Sequence, residues 1–190
     1  MSSETTRDLN CDTLCAQIRK LGATLCQFIP SARLLVPEEK IRRFCTENKC
    51  GCYGNHLMCP PFVGTIPEAA EKISTFTDAI LIQYSKGLNV ETDTVGLNAT
   101  KRTLHDIILE TERYLQKEMG ISTLMGLIGG SCERCNPCAG FMGKPCPYPS
   151  RARTSMEALG IDVIALLERL DLDGKFHADK ITWTGMILIA

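Results

Sequence analysis

The sequence predicts an α/β fold: a single compact domain with a mostly parallel or mixed sheet and two cysteine-rich loops. Three observations predict it. A length of 190 residues suits one domain of the usual ~100–200 residues. Apolar periodicities of helix and strand type alternate along the chain. No internal repeat or low-complexity linker interrupts them, and such alternation favours parallel strands covered on both faces by crossover helices.

From the N-terminus, Cys11, Leu14, Cys15, Ile18 and Leu21 recur at helical spacing up to Gly22, an amphipathic helix with its cysteines on the buried face. Thr24 to Ile29 and Arg33 to Val36 read as short strands, and Pro37-Glu38-Glu39-Lys40 opens a helical turn carrying Ile41 and Phe44. After a first cysteine-rich loop, Pro67 to Phe76 is a helix and Ala79 to Tyr84 a buried strand. Thr100 to Met119 then sets Leu104, Ile107, Ile108, Thr111 and Leu115 along one helical stripe ended by Gly120. Ser122 to Ile128 reads as a strand that Gly129-Gly130 releases into a second cysteine-rich loop. Asp162 caps a helix from Val163 to Leu170, and Ile181 to Ile189 is a last strand, central in the sheet with subunit contact as the alternative.

Hydrophobic residues make up 44% and charged residues 23%, which excludes disordered, collagenous and coiled-coil classes. The N-terminus has no basic start followed by an apolar core, and no apolar run reaches the ~20 residues of a membrane span. The expectation is a cytoplasmic chain without disulfides. A formal net charge of −1 gives no general attraction to nucleic acid or to a membrane surface. No phosphate-cradling glycine loop, catalytic triad or zinc-protease signature is present.

Eleven cysteines are many for an intracellular chain and need a chemical reason. The second loop reads Cys132-x2-Cys135-x2-Cys138, then seven residues, then Cys146-Pro147. Two-residue gaps let successive thiolates reach different irons of a cubane, and a later Cys-Pro supplies a fourth ligand. The first loop carries Cys45, Cys50, Cys52 and Cys59-Pro60-Pro61 at gaps of four, one and six residues. These match no standard zinc finger and again suggest a cluster. Cys11, Cys15 and Cys26 lie in apolar patterns and read as packed thiols.

These residues also carry a resemblance. Cys45-x4-Cys50-Gly-x-Tyr53-Gly54-x4-Cys59-Pro-Pro, Cys132-x2-Cys135-x2-Cys138, Lys144-Pro-Cys146 and Ser155-Met-Glu-Ala-Leu-Gly-Ile-Asp-Val163 resemble the "predicted metal-binding protein" family of bacteria and archaea, over roughly Val36 to the C-terminus. The resemblance implies a metal-binding set of Cys45, Cys50, Cys59, Cys132, Cys135, Cys138 and Cys146. Cys52 departs from the family pattern, as does His56-Leu57 where an aromatic is usual. Seven thiols are one short of the eight that two cubanes need. Either Cys52 completes the first set, or an iron stays open to His56, a partner or a substrate. Gly51 alone separates Cys50 from Cys52, which makes joint ligation tight.

Residues 1–35 are expected as an N-terminal helix and strand packed on the core and residues 36–190 as the metal-binding α/β domain, one structural domain overall. The leading reading is a protein of two [4Fe-4S] clusters that passes single electrons to a larger redox or metalloenzyme partner in an anaerobic host. A homo-oligomer is compatible with it. Alternatives are a small metalloenzyme with an open iron and a zinc-stabilised interaction module. Arg134, Lys144, Arg151 and Arg153 around the second loop could offset cluster charge, and Lys40, Arg42 and Arg43 could dock an acidic partner. His105 and His177 read as structural or surface residues, and His56 as a loop-packing residue, with ligation or hydrogen bonding at the site as the alternative.

Overall fold

The computed structural model describes residues 11–190. Helices α1 (Cys11–Lys20), α2 (Glu39–Thr46), α3 (Ile66–Ser74), α4 (Thr94–Glu118) and α5 (Val163–Arg169) flank four strands: β1 (Leu25–Ile29), β2 (Asp78–Gly87), β3 (Leu124–Leu127) and β4 (Lys180–Ile189). The sheet order is β1-β2-β4-β3, and every ladder in it is antiparallel.

The expected mostly parallel sheet is therefore corrected. β2 and β3 each run antiparallel to β4, so they point the same way and α4 does connect two like-directed strands. The C-terminal strand inserts between them and turns both contacts antiparallel. The apolar runs have a different cause from parallel pairing: helices cover both faces. Ile80, Ile82, Ile187 and Ile189 pack with Leu14 and Ile18 of α1 and Leu104, Ile108 and Leu115 of α4. Ala79, Leu81, Met186 and Leu188 face the other way, onto Ala69 and Ile73 of α3 and Leu166 and Leu167 of α5. With alternate residues on opposite faces, a strand buried on both sides must be apolar throughout, whatever its direction.

Local chemistry places the helix starts. Asp162 accepts from the Ala165 amide at 2.9 Å, as its sequence position predicts. Thr65 and Glu68 form a reciprocal capping box at α3. Asp93 caps α4 through the Gly96 amide at 2.8 Å, so this helix begins at Thr94, six residues before the predicted start at Thr100. The predicted strand from Arg33 to Val36 is instead a short 3-10 turn over Ala32–Leu34, with one backbone bridge from Pro37 to Ile161.

The expectation of no disulfide is also overturned. Cys15 of α1 and Cys26 of β1 are bridged, with Cα atoms 5.3 Å apart, inside the range a disulfide requires. Both are buried, as their apolar patterns predict, but burial on facing elements also made them neighbours. No helix among the described residues is long and apolar enough to cross a membrane.

Candidate metal centre

The first cysteine loop leaves the C-terminal end of α2, whose last turn already contains Cys45. The second leaves the end of β3, an edge strand. None of the eight loop cysteines is in a disulfide. Cys59, Cys132 and Cys138 are buried, Cys45, Cys52, Cys135 and Cys146 half-buried, and Cys50 exposed.

In the first loop the thiols are neighbours. Burial pushes the Cys59 thiol far up, and the nearby charges of Cys52, Cys50 and Cys45 push the same way. Burial and then Cys50 raise Cys45 and Cys52 likewise. The Cys45, Cys52 and Cys59 thiols are thus each held toward the protonated form, and a metal cation binding there would displace those protons. Cys52, outside the family pattern, stands within this group. Gly51 has φ +73°, a left-handed turn that glycine adopts without strain, and it reverses the chain between Cys50 and Cys52.

In the second loop, Cys132 and Cys146 lie close enough to interact, and burial raises the Cys132 thiol. The backbone amides of Arg134 and Arg153 donate to the Cys132 sulfur and oppose that rise. Cys138 is buried and Cys135 half-buried. No three His, Cys, Asp or Glu side chains among the described residues converge on one ion position.

The two loops meet. The His56 Nε2–H donates to the Cys132 carbonyl at 2.6 Å, while Nδ1 accepts from the Met58 amide at 3.4 Å. Both ring nitrogens are thus engaged, and burial first of all lowers the His56 pKa. His56 joins the loops as a hydrogen-bonding residue, with no nitrogen left to ligate. The Ser131 hydroxyl lies near enough to the Cys52 thiol to oppose its rise. At Gly140 a Cβ would stand 2.4 Å from the Asn55 carbonyl oxygen, so only glycine permits this backbone approach.

Helix α4 supports the junction with a charged face. Lys101 pairs with Glu133, reaches Ser131 at 3.3 Å and stands over the Trp183 ring at 5.7 Å. Asp106 pairs with Arg134. His105 Nε2 donates to the Arg151 carbonyl at 2.9 Å. Glu112 is buried; it accepts from Arg153 Nε at 3.0 Å and from the Gly126 amide of β3 at 2.8 Å. Arg134 and Arg153 are therefore anchors of the loop to α4, with their charges already paired. Of the basic residues Lys40, Arg42 and Arg43, Lys40 and Arg43 are exposed. Arg42 is buried and donates to the Gly64 carbonyl, and Lys40 pairs with Glu38 at 2.9 Å.

A family model described as "Predicted metal-binding protein (DUF2284)" matches residues 28–189. The chain belongs to that family. The match contains all eight loop cysteines and begins after Cys26, which leaves the Cys15–Cys26 disulfide outside it. No curated protein and no solved structure matches the chain. Membership in this cysteine-rich predicted metal-binding family accords with the donor set, eight unbridged thiols in two adjoining loops. Sequence reasoning missed Lys101, Glu112 and Ser131. Lys101, His105 and Glu112 recur at spacings of four and seven along α4, a polar stripe beside the apolar one, and that was the available signal.

Proposed function

We propose that the chain binds two [4Fe-4S] clusters, one on Cys45, Cys50, Cys52 and Cys59 and one on Cys132, Cys135, Cys138 and Cys146. In this reading it serves as the one-electron redox subunit of a larger partner. The observation that carries the reading is the meeting of two four-cysteine loops through His56, Ser131 and Gly140. Cys52 among its neighbours supplies the eighth thiol, so the reading needs no open iron and no ligand from His56.

Bound there, the clusters would supply single-electron transfer, at a potential set by hydrogen bonds to sulfur, net charge and solvent exposure. The protein's own contributions follow from its groups. The Arg134 and Arg153 amides donate to Cys132, and such N–H···S bonds stabilise negative charge on a ligand sulfur. Lys101 sits at the loop junction beside Cys52 and opposes its rise in pKa. Phe62, Phe141, Met142 and Tyr148 are exposed on or next to the two loops and give a partner an apolar surface near the thiols.

The test is iron, sulfide and zinc per chain after anaerobic purification, with the paramagnetic resonance spectrum of the dithionite-reduced protein. About eight irons and eight sulfides are expected for two cubanes, and Cys135→Ala should remove one cluster's signal and about half the iron. Stoichiometric zinc without sulfide would replace the redox reading with a zinc-stabilised module.

A further inference from the structure

Three enclosed side-chain polar atoms among the described residues have no hydrogen-bond partner: Arg42 Nη1, Arg134 Nε and Glu157 Oε2. Each belongs to a residue beside a loop thiol. The charges of Arg42 and Glu157 act on Cys45, and that of Arg134 acts on Cys132. Arg134 is already paired with Asp106, and burial holds Glu157 toward its neutral carboxyl form. Of the three, Arg42 is left with a charge that nothing answers.

Arg42 is the buried residue of α2, only 8% exposed. A guanidinium cannot give up its proton and is rarely buried without a paired anion. Its Nη2 donates to the Gly64 carbonyl, which satisfies one donor and leaves the charge. None of the ion pairs among the described residues includes it. Glu68 feels the Arg42 charge, but its carboxylate is engaged at the exposed start of α3, by the Thr65 amide at 2.6 Å and hydroxyl at 2.9 Å. A buried cation without an anion carries a desolvation cost that an arriving negative charge would offset. Cys45 lies three residues further along α2, a spacing that puts two side chains on one helix face. The first-loop thiols become that negative charge when a metal binds, since four thiolates outweigh the two positive charges of a zinc ion or of an oxidised cubane.

We infer that Arg42 is the counter-ion of the first-loop metal centre, its Nη1–H donating to a ligand sulfur and its charge offsetting that of the thiolates. The inference rests on metal binding by Cys45, Cys50, Cys52 and Cys59, whichever metal that is. Arg134 and Arg153 at the second loop are paired with Asp106 and Glu112, so loss of the Arg42 charge acts on the first centre alone.

The test compares Arg42→Gln, which keeps an N–H for Gly64 and loses the charge, with Arg42→Lys, which keeps the charge. Arg43→Gln, which removes an exposed charge from the same helix, is the control. All three are made in the Cys135→Ala background, where the metal that remains belongs to the first loop. After anaerobic purification, metal per chain is measured and its release to excess chelator is followed, with bipyridyl for iron and pyridylazoresorcinol for zinc. Loss of a charge-assisted hydrogen bond should speed release about tenfold in Arg42→Gln. Arg42→Lys should stay near the parent rate and Arg43→Gln should match it. If Arg42→Gln does not fold, Arg42→Met, whose apolar chain suits the buried position, takes its place. Release from the uncharged variant at the parent rate would overturn the inference. Equally fast release from the uncharged variant and from Arg42→Lys would also overturn it and make Arg42 a structural contact to Gly64. Zinc without sulfide would end the redox reading and leave this comparison intact, whereas a wild-type chain that purifies without metal would overturn both.

Discussion

His105 gives the anchoring of the second loop to α4 a measurable pH signature. The residue is 1% exposed and donates to the Arg151 carbonyl. Burial, and then the charge of Arg134, lower its pKa to about 4, against about 6.5 for an unfolded histidine. As pH falls below the unfolded value the denatured chain takes up a proton that the folded chain refuses. The contribution is therefore fully present above about 6.5 and is lost as pH falls toward the folded pKa. For a single site with these two values, the loss between pH 7 and pH 5 is about 2 kcal/mol. His105→Gln keeps an N–H donor for Arg151 and removes the titration. Urea unfolding of both proteins at pH 7, 6 and 5 isolates the effect, because the substitution changes no other titratable residue. Wild type should be the more stable at pH 7, and the gap should narrow by about 2 kcal/mol by pH 5. A gap that stays constant would refute the assignment of His105 as a buried neutral residue.

Three further outcomes follow. Glu112→Ala leaves Arg153 and the Gly126 amide without their partner, and breaking a buried pair of this kind should cost about 3–5 kcal/mol in denaturant unfolding; wild-type stability would show that water replaces the carboxylate. Gly140→Ala puts a methyl on the Asn55 carbonyl, so the loops must separate, with a cost of about 1–3 kcal/mol typical of overpacking and a drop in bound metal; unchanged metal content would mean that the loops do not need this contact. Cys15 and Cys26 are 11 residues apart, and opening a loop of that length with dithiothreitol should cost about 3 kcal/mol in the chain-entropy model. Cys26→Ala should abolish the sensitivity to reductant, and an equal sensitivity in that variant would place the effect elsewhere.

The parts of the fold that were legible in the sequence are those fixed by local chemistry. The Asp162 cap, the apolar stripe of α4 and the buried run of β4 are each settled within a few residues, and the structure has them where the sequence put them. Strand direction depends on where Met186 to Ile189 dock, a choice between neighbours far apart in the chain. Burial on both faces made antiparallel strands look like parallel ones. The predicted strand at Arg33 to Val36 failed for a related reason: its Leu34 and Val36 are exposed, so the apolar run had no sheet to join. At the candidate site the eight thiols were legible from spacing, and their neighbours were not. His56, Ser131, Gly140 and Glu112 act across 14 to 85 residues of sequence separation, and nothing local marks such pairings.

The arginines near the second loop show why composition alone misassigns charge. Read as sequence, Arg134 and Arg153 were cations available to offset a negative cluster. In the fold each is paired with a carboxylate of α4, so each pair is close to neutral and serves to hold the loop. At Cys132 the groups that face sulfur include backbone amides, and those of Arg134 and Arg153 both donate to it. Their positions depend on the side-chain pairs to Asp106 and Glu112. The α4 carboxylates thus act on the thiols through geometry: they hold the loop in which two N–H dipoles meet the Cys132 sulfur. Around Cys132 the backbone thus supplies electrostatic support, while the paired charged side chains hold the loop in place.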